Sequence, residues 1–177
     1  ITGNLNKSVM PLINIDLSLE NGMLKYAGFP LPLHDIEVDV TFNSDLKTDS
    51  LSFVRINHFN AKTPQSTVSV EGLVNHLFTD MYCDLTTVAG LTLDELNLMI
   101  PDSLKINLRG KAVGKIKSAF SQTQLEKMQL EKMKLSGSVT LSDFDVVYDS
   151  LSLKTDRSKI DFAMPVRKPS AKSTKFA

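Results

Sequence analysis

Ile13-Asn14-Ile15-Asp16-Leu17-Ser18-Leu19-Glu20 alternates apolar and polar residues without a break. Successive side chains of a strand point to opposite faces, so this stretch buries one face and wets the other. A helix would scatter the same apolar residues around its circumference instead of gathering them on one stripe. The segment reads as a half-buried strand. Asn21-Gly22 follows directly. Both residue types tolerate positive φ, so the pair predicts a tight hairpin turn with a return strand from Met23 to Tyr26.

Downstream, Gly28-Phe29-Pro30-Leu31-Pro32 breaks the pattern, because proline removes a ladder donor and stiffens the chain. Alternation resumes with Ile36, Val38, Val40 and Phe42. Further runs cover residues 51–59, 67–74, 81–88, 105–116, 133–141, 145–148, 151–154 and 159–162. Short links between them favour antiparallel neighbours over parallel crossovers. About ten strands at ~4.8 Å spacing make a sheet some ~45 Å long. The expected fold is mainly β: an elongated, curved, mostly antiparallel sheet, an open groove with one apolar face, carrying two short helices.

The helices are predicted from capping boxes. Thr92-Leu93-Asp94-Glu95 places a hydroxyl and a carboxyl where each satisfies the other's orphan backbone donor. That helix ends before Pro101. Ser121-Gln122-Thr123-Gln124 repeats the box ahead of residues 125–132. A pattern of apolar, polar, Gly, any, apolar recurs at residues 1–5, 70–74, 108–112 and 135–139. Glycine inside a strand marks a bend or a close backbone approach, so a duplicated unit with a glycine-curved sheet is expected.

Composition removes several function classes. The 20 basic and 20 acidic residues cancel, which leaves no excess to neutralise phosphates and argues against nucleic acid. Cys83 is the one cysteine, so neither an intrachain disulfide nor a cysteine-based metal site forms, and a small buried apolar role is expected. No run approaches the roughly 18 apolar residues that cross a bilayer, and no signal peptide is visible. Ile1 in place of an initiator Met suggests an excerpt of a larger protein, with residues 1–165 as one module and 166–177 as a basic, disordered tail.

Catalytic constellations are also missing. His34, His58 and His76 are assigned to loops or strand ends without metal-ligand spacing. No phosphate-binding glycine loop or nucleophile elbow occurs. Asp143 and Asp145 are expected on one strand face, which reads as a solvated edge rather than a cation site. The expectation is a protein that is not an enzyme and uses no cofactor or metal.

Taken in order, several motifs form a larger pattern. Leu17-x-Leu19-x-Asn21-Gly22-x-Leu24-x-Tyr26 precedes Pro30-Leu31-Pro32-Leu33-x-Asp35-Ile36 and the 36–42 strand. Val68-x-Val70-x-Gly72-x-Val74 and Met133-x-Leu135-x-Gly137-x-Val139 follow. Over residues 1–165 this order resembles the AsmA-like proteins of Gram-negative envelopes. These are similar in turn to TamB-like and chorein-type repeating β-groove lipid-transfer proteins.

The resemblance implies the periplasmic part of a protein anchored in the inner membrane through a segment this chain lacks. It implies a groove that binds phospholipid or another acyl-chain lipid and conducts it between membranes, contributing to outer-membrane biogenesis. Neighbouring β-groove repeats or envelope proteins are the further partners implied. Groove-lining candidates are Ile13, Ile15, Leu17, Leu19, Ile36, Val38, Val40, Phe42, Val68, Val70, Met81, Leu85, Ile106, Leu108, Leu135, Val139 and Leu141. Alternation alone fits two other architectures. A β-sandwich needs one apolar face per sheet, which suits a scaffold or interaction module with a closed core. A closed barrel would carry a small apolar ligand and have no edges.

Overall fold

Period-two alternation produces a single sheet. The computed structural model describes residues 12–45 and 48–165. The glycine motif at residues 1–5, Ile1 and the tail at 166–177 lie outside the described residues. The elements run β1 (Leu12–Leu24), β2 (Leu33–Asp45), β3 (Phe53–Lys62), β4 (Thr67–Asn75), β5 (Tyr82–Thr92), α1 (Leu93–Leu96), β6 (Ile106–Ser121), α2 (Gln122–Glu126), β7 (Lys134–Tyr148) and β8 (Leu151–Met164). All eight strands pair antiparallel with their sequence neighbours, in the order β1 to β8. β8 does not return to β1, so among the described residues the sheet is open and no barrel closes.

Eight strands at ~4.8 Å spacing extend ~34 Å, shorter than the ten-strand expectation. The difference comes from bulges. Asn21, at φ 54°, is not a hairpin residue: β1 passes through Asn21-Gly22, and the register with β2 shifts on both sides of Gly22. Asn-Gly is as well suited to a bulge as to a turn, because both need positive φ beside a residue without bulk. Asp143, at φ 49°, does the same in β7 and fuses the 133–141 and 145–148 runs into one strand. The 151–154 and 159–162 runs likewise join in β8.

Two strand glycines meet the expectation of close backbone approach. Gly72 (φ 151°) and Gly110 (φ 102°) hold conformations that disfavour a side chain, and a Cβ at either would collide with the neighbouring strand's backbone. Each sits beside a register shift, between β3 and β4 and between β6 and β7.

The two capping boxes part company. At α2 the box forms: Ser121 Oγ accepts from Gln124 N–H and the Gln124 side chain accepts from Ser121 N–H. Beyond Glu126 the chain makes a turn and a short 3-10 segment at Leu130–Lys132 rather than a continued helix. At α1 Thr92 makes no cap; its hydroxyl donates to Gln65 O at 3.0 Å, and Glu95 turns toward the β3–β4 connection. α1 instead completes the sheet. The Asn97 amide takes Leu108 N–H (2.8 Å) and donates to Leu108 O (2.7 Å), filling the place a longer β5 would hold.

The hydrophobic core is small. Among the described residues the buried hydrophobic side chains are Ile36, Ala61, Leu93 and Ala112. No second sheet packs on the first, so a sandwich does not form among these residues.

Candidate functional site

The register assembles one apolar face from all eight strands. One row crosses the sheet as Leu17, Val40, Ile56, Gly72, Leu85, Ser118, Leu135 and Met164, each the cross-strand partner of the next. A second row runs Leu19, Val38, Phe59, Val70, Thr87, Ile116, Gly137 and Phe162. The bulges keep these rows aligned. β3 gains a residue at Asn57-His58, and that phase change brings Phe59 and Ala61 onto the face already occupied by Val54 and Ile56.

Among the described residues the α1 segment and the Phe29–Leu33 loop reach over the face at its Ala61–Val68 rim, and its outer strands stay open. At the outer strands Leu17 is 55% and Leu153 61% exposed. Away from that rim, most apolar side chains of this face on the inner strands are half-buried. A contiguous apolar surface on a water-facing sheet is uncommon in soluble domains. Cys83 belongs to this face, opposite Val74 and Phe120, and burial pushes its thiol pKa up.

The reverse face is polar. Thr41 donates to Asp16 (2.9 Å), Asn57 to Asp39 (3.0 Å), Asn60 to Glu37 (3.1 Å) and Lys62 to Asp35 (3.1 Å). The Lys62 hydrogen bond and charge hold the Asp35 carboxyl below its ordinary pKa. Arg109, Lys111, Lys115 and Lys117 lie on this face of β6. Asp145 faces Arg109 and pairs with Lys154 at 3.0 Å. Asp143 is the bulge residue, so the regular alternation that would place both aspartates on one face is broken. No group of three or more His, Cys, Asp or Glu among the described residues is arranged to hold a metal ion. His58 stands inside β3 rather than at a strand end.

The candidates from sequence fall on one face where they lie in strands: Ile13, Ile15, Leu17 and Leu19 on β1, Ile36, Val38, Val40 and Phe42 on β2, Val68 and Val70 on β4. Leu85 on β5, Ile106 and Leu108 on β6, and Leu135, Val139 and Leu141 on β7 join them. Met81 precedes β5, and its carbonyl accepts from Gln122 N–H (2.8 Å) at the start of α2. Sequence reasoning missed the contributions of β3 and β8, among them Ile56, Phe59, Leu153, Ile160 and Phe162. The available signal was a polar doublet, Asn57-His58 or Asp156-Arg157, interrupting the alternation where the phase changes.

At the rim where β3 ends and β4 begins, Glu95 is 6% exposed. Its carboxylate accepts from Thr63 Oγ1 (2.5 Å), Gln65 N–H (2.9 Å) and the Ser66 hydroxyl. Burial pushes its pKa up, but the Ser66, Thr63 and Gln65 donors outweigh it and hold the carboxyl below its ordinary value. No cation is needed there, because every donor is a local neutral group. Comparison with family models, curated proteins and solved structures gives no match.

Proposed function

We propose that this chain is a non-enzymatic lipid-binding segment whose apolar sheet face holds the acyl chains of a phospholipid or another acyl-chain lipid. The observation that carries this reading is the apolar face spanning all eight strands, with no second sheet on it among the described residues. Exposing an acyl chain to water costs roughly 0.8 kcal/mol per methylene, and a face of Ile, Val, Leu and Phe offsets most of that cost. The face offers contact on one side only, so it does not outcompete a bilayer, and a chain laid on it can leave again.

The resemblance to AsmA-like proteins supports the wider setting. In that setting the segment belongs to the periplasmic part of an inner-membrane-anchored protein, and lipid passes along it between membranes toward outer-membrane biogenesis. Adjacent repeats would extend the face beyond β1 and β8.

The test is native mass spectrometry of the purified chain with organic extraction and lipid analysis, on the unmodified protein and on Val40→Asp and Leu108→Asp. Both residues lie on the apolar face. Phospholipid that co-purifies with the unmodified protein and is lost from folded variants is the expected result. Undiminished loading in folded variants refutes the assignment of this face. Loss of the fold in both variants favours a scaffold with a closed core.

A further inference from the structure

A small cavity opens where the rim of the sheet meets α1. The Phe29–Leu33 loop, the end of β3, the start of β4 and the α1 segment enclose about 170 Å³. Ala61 and Val68, cross-strand partners on the apolar face, contribute to its floor, so the cavity is a side branch of that face. Phe29, Leu31, Leu96 and Met99 supply walls.

Polar groups are present but already occupied. Glu95 takes Thr63, Gln65 and Ser66. Ser66 Oγ also accepts from Thr92 N–H (3.0 Å), and Thr63 Oγ1 accepts from Ser66 N–H (2.9 Å). A charged or hydrogen-bonding ligand would have to break this network, whereas a hydrocarbon would leave it intact. The volume is comparable to the roughly 150 Å³ apolar cavity that accepts a benzene, which is room for about six carbons.

We infer that this cavity seats the methyl end of a single unbranched acyl chain, about its last six carbons, while the rest of the chain lies on the apolar face. The inference rests on the lipid-binding reading and adds to it a fixed end point for the chain. Phe29 also lines a second apolar cavity with Leu24, Tyr26 and Leu33, so Leu96, which lines only the first, is the better residue to alter.

The experiment uses palmitic acid bearing a photoreactive diazirine at the terminal carbon or at mid-chain, with adducts on the unmodified protein mapped by mass spectrometry. The terminal probe should label the segments around Leu31, Leu96 and Met99, and the mid-chain probe the strands of the apolar face. A second measurement fills the cavity with Leu96→Trp, the chain having no tryptophan of its own. That variant should bind palmitate at least about tenfold more weakly, because about six terminal carbons lose their buried seat, and it should lose the terminal-probe adducts around Leu31 and Met99 while the mid-chain adducts persist. Identical label maps for the two probes, or terminal-probe adducts unchanged by Leu96→Trp, overturn the cavity assignment. Palmitate bound with its terminal label elsewhere overturns the cavity alone. Absence of any bound fatty acid overturns the lipid reading together with the cavity.

Discussion

A Cβ placed on Gly72 would meet the backbone of Asp84 and Leu85 on the next strand, at a φ of 151°. The position therefore fixes both the local bend and the approach of β4 to β5. Gly72→Ala is expected to cost about 1–3 kcal/mol in urea unfolding, the usual range for forcing a side chain into a sparsely populated conformation. A loss below about 0.5 kcal/mol would show that β4 relaxes freely there. Glu95 makes a second residue-scale prediction, with a defined sign. Its folded pKa lies below the ordinary glutamate value, so its contribution is complete above that value and fades as pH falls through the folded pKa. Glu95→Gln should therefore lose about 1–3 kcal/mol near pH 7, and the gap to the unmodified protein should narrow below about pH 4. A gap that is constant from pH 7 to pH 3 contradicts this.

Among the elements, strands were more legible in the sequence than their punctuation. The 13–20 alternation names β1 correctly, because period-two burial depends only on which side of the sheet a residue faces. Asn21-Gly22 misled, since the local preference for positive φ does not say whether the chain reverses or bulges; that is decided by the partner strand. Capping boxes show the same limit. Ser121–Gln124 forms its box, whereas Glu95 of the other box is drawn to three donors at the β3–β4 connection. Ser121→Ala should accordingly lower stability by about 1 kcal/mol, read as a shift in the denaturation midpoint with an unchanged slope. An unchanged midpoint would mean that the α2 cap carries no net energy.

Across the whole molecule, a net charge of zero conceals an uneven layout. Asp16, Glu37 and Asp39 lie on the polar face of β1 and β2, and Arg109, Lys111, Lys115 and Lys117 on the polar face of β6. Composition averages over this distribution, and only the register reveals it. The apolar face was legible strand by strand but not as a continuous surface. Its continuity depends on the bulges at Asn21, Asn57-His58 and Asp143, whose phase changes return each strand's apolar residues to one side. The central claim is that acyl chains lie on that face and not on its reverse. Methyl NMR of the chain loaded with a phospholipid carrying a mid-chain nitroxide tests it directly. Leu17, Val40, Leu85 and Leu135 report on the apolar face, and Leu73, Val88 and Val113 are apolar controls on the polar face. Paramagnetic broadening of the first group with the second group spared is the predicted result; equal broadening of both groups, or none, would contradict it.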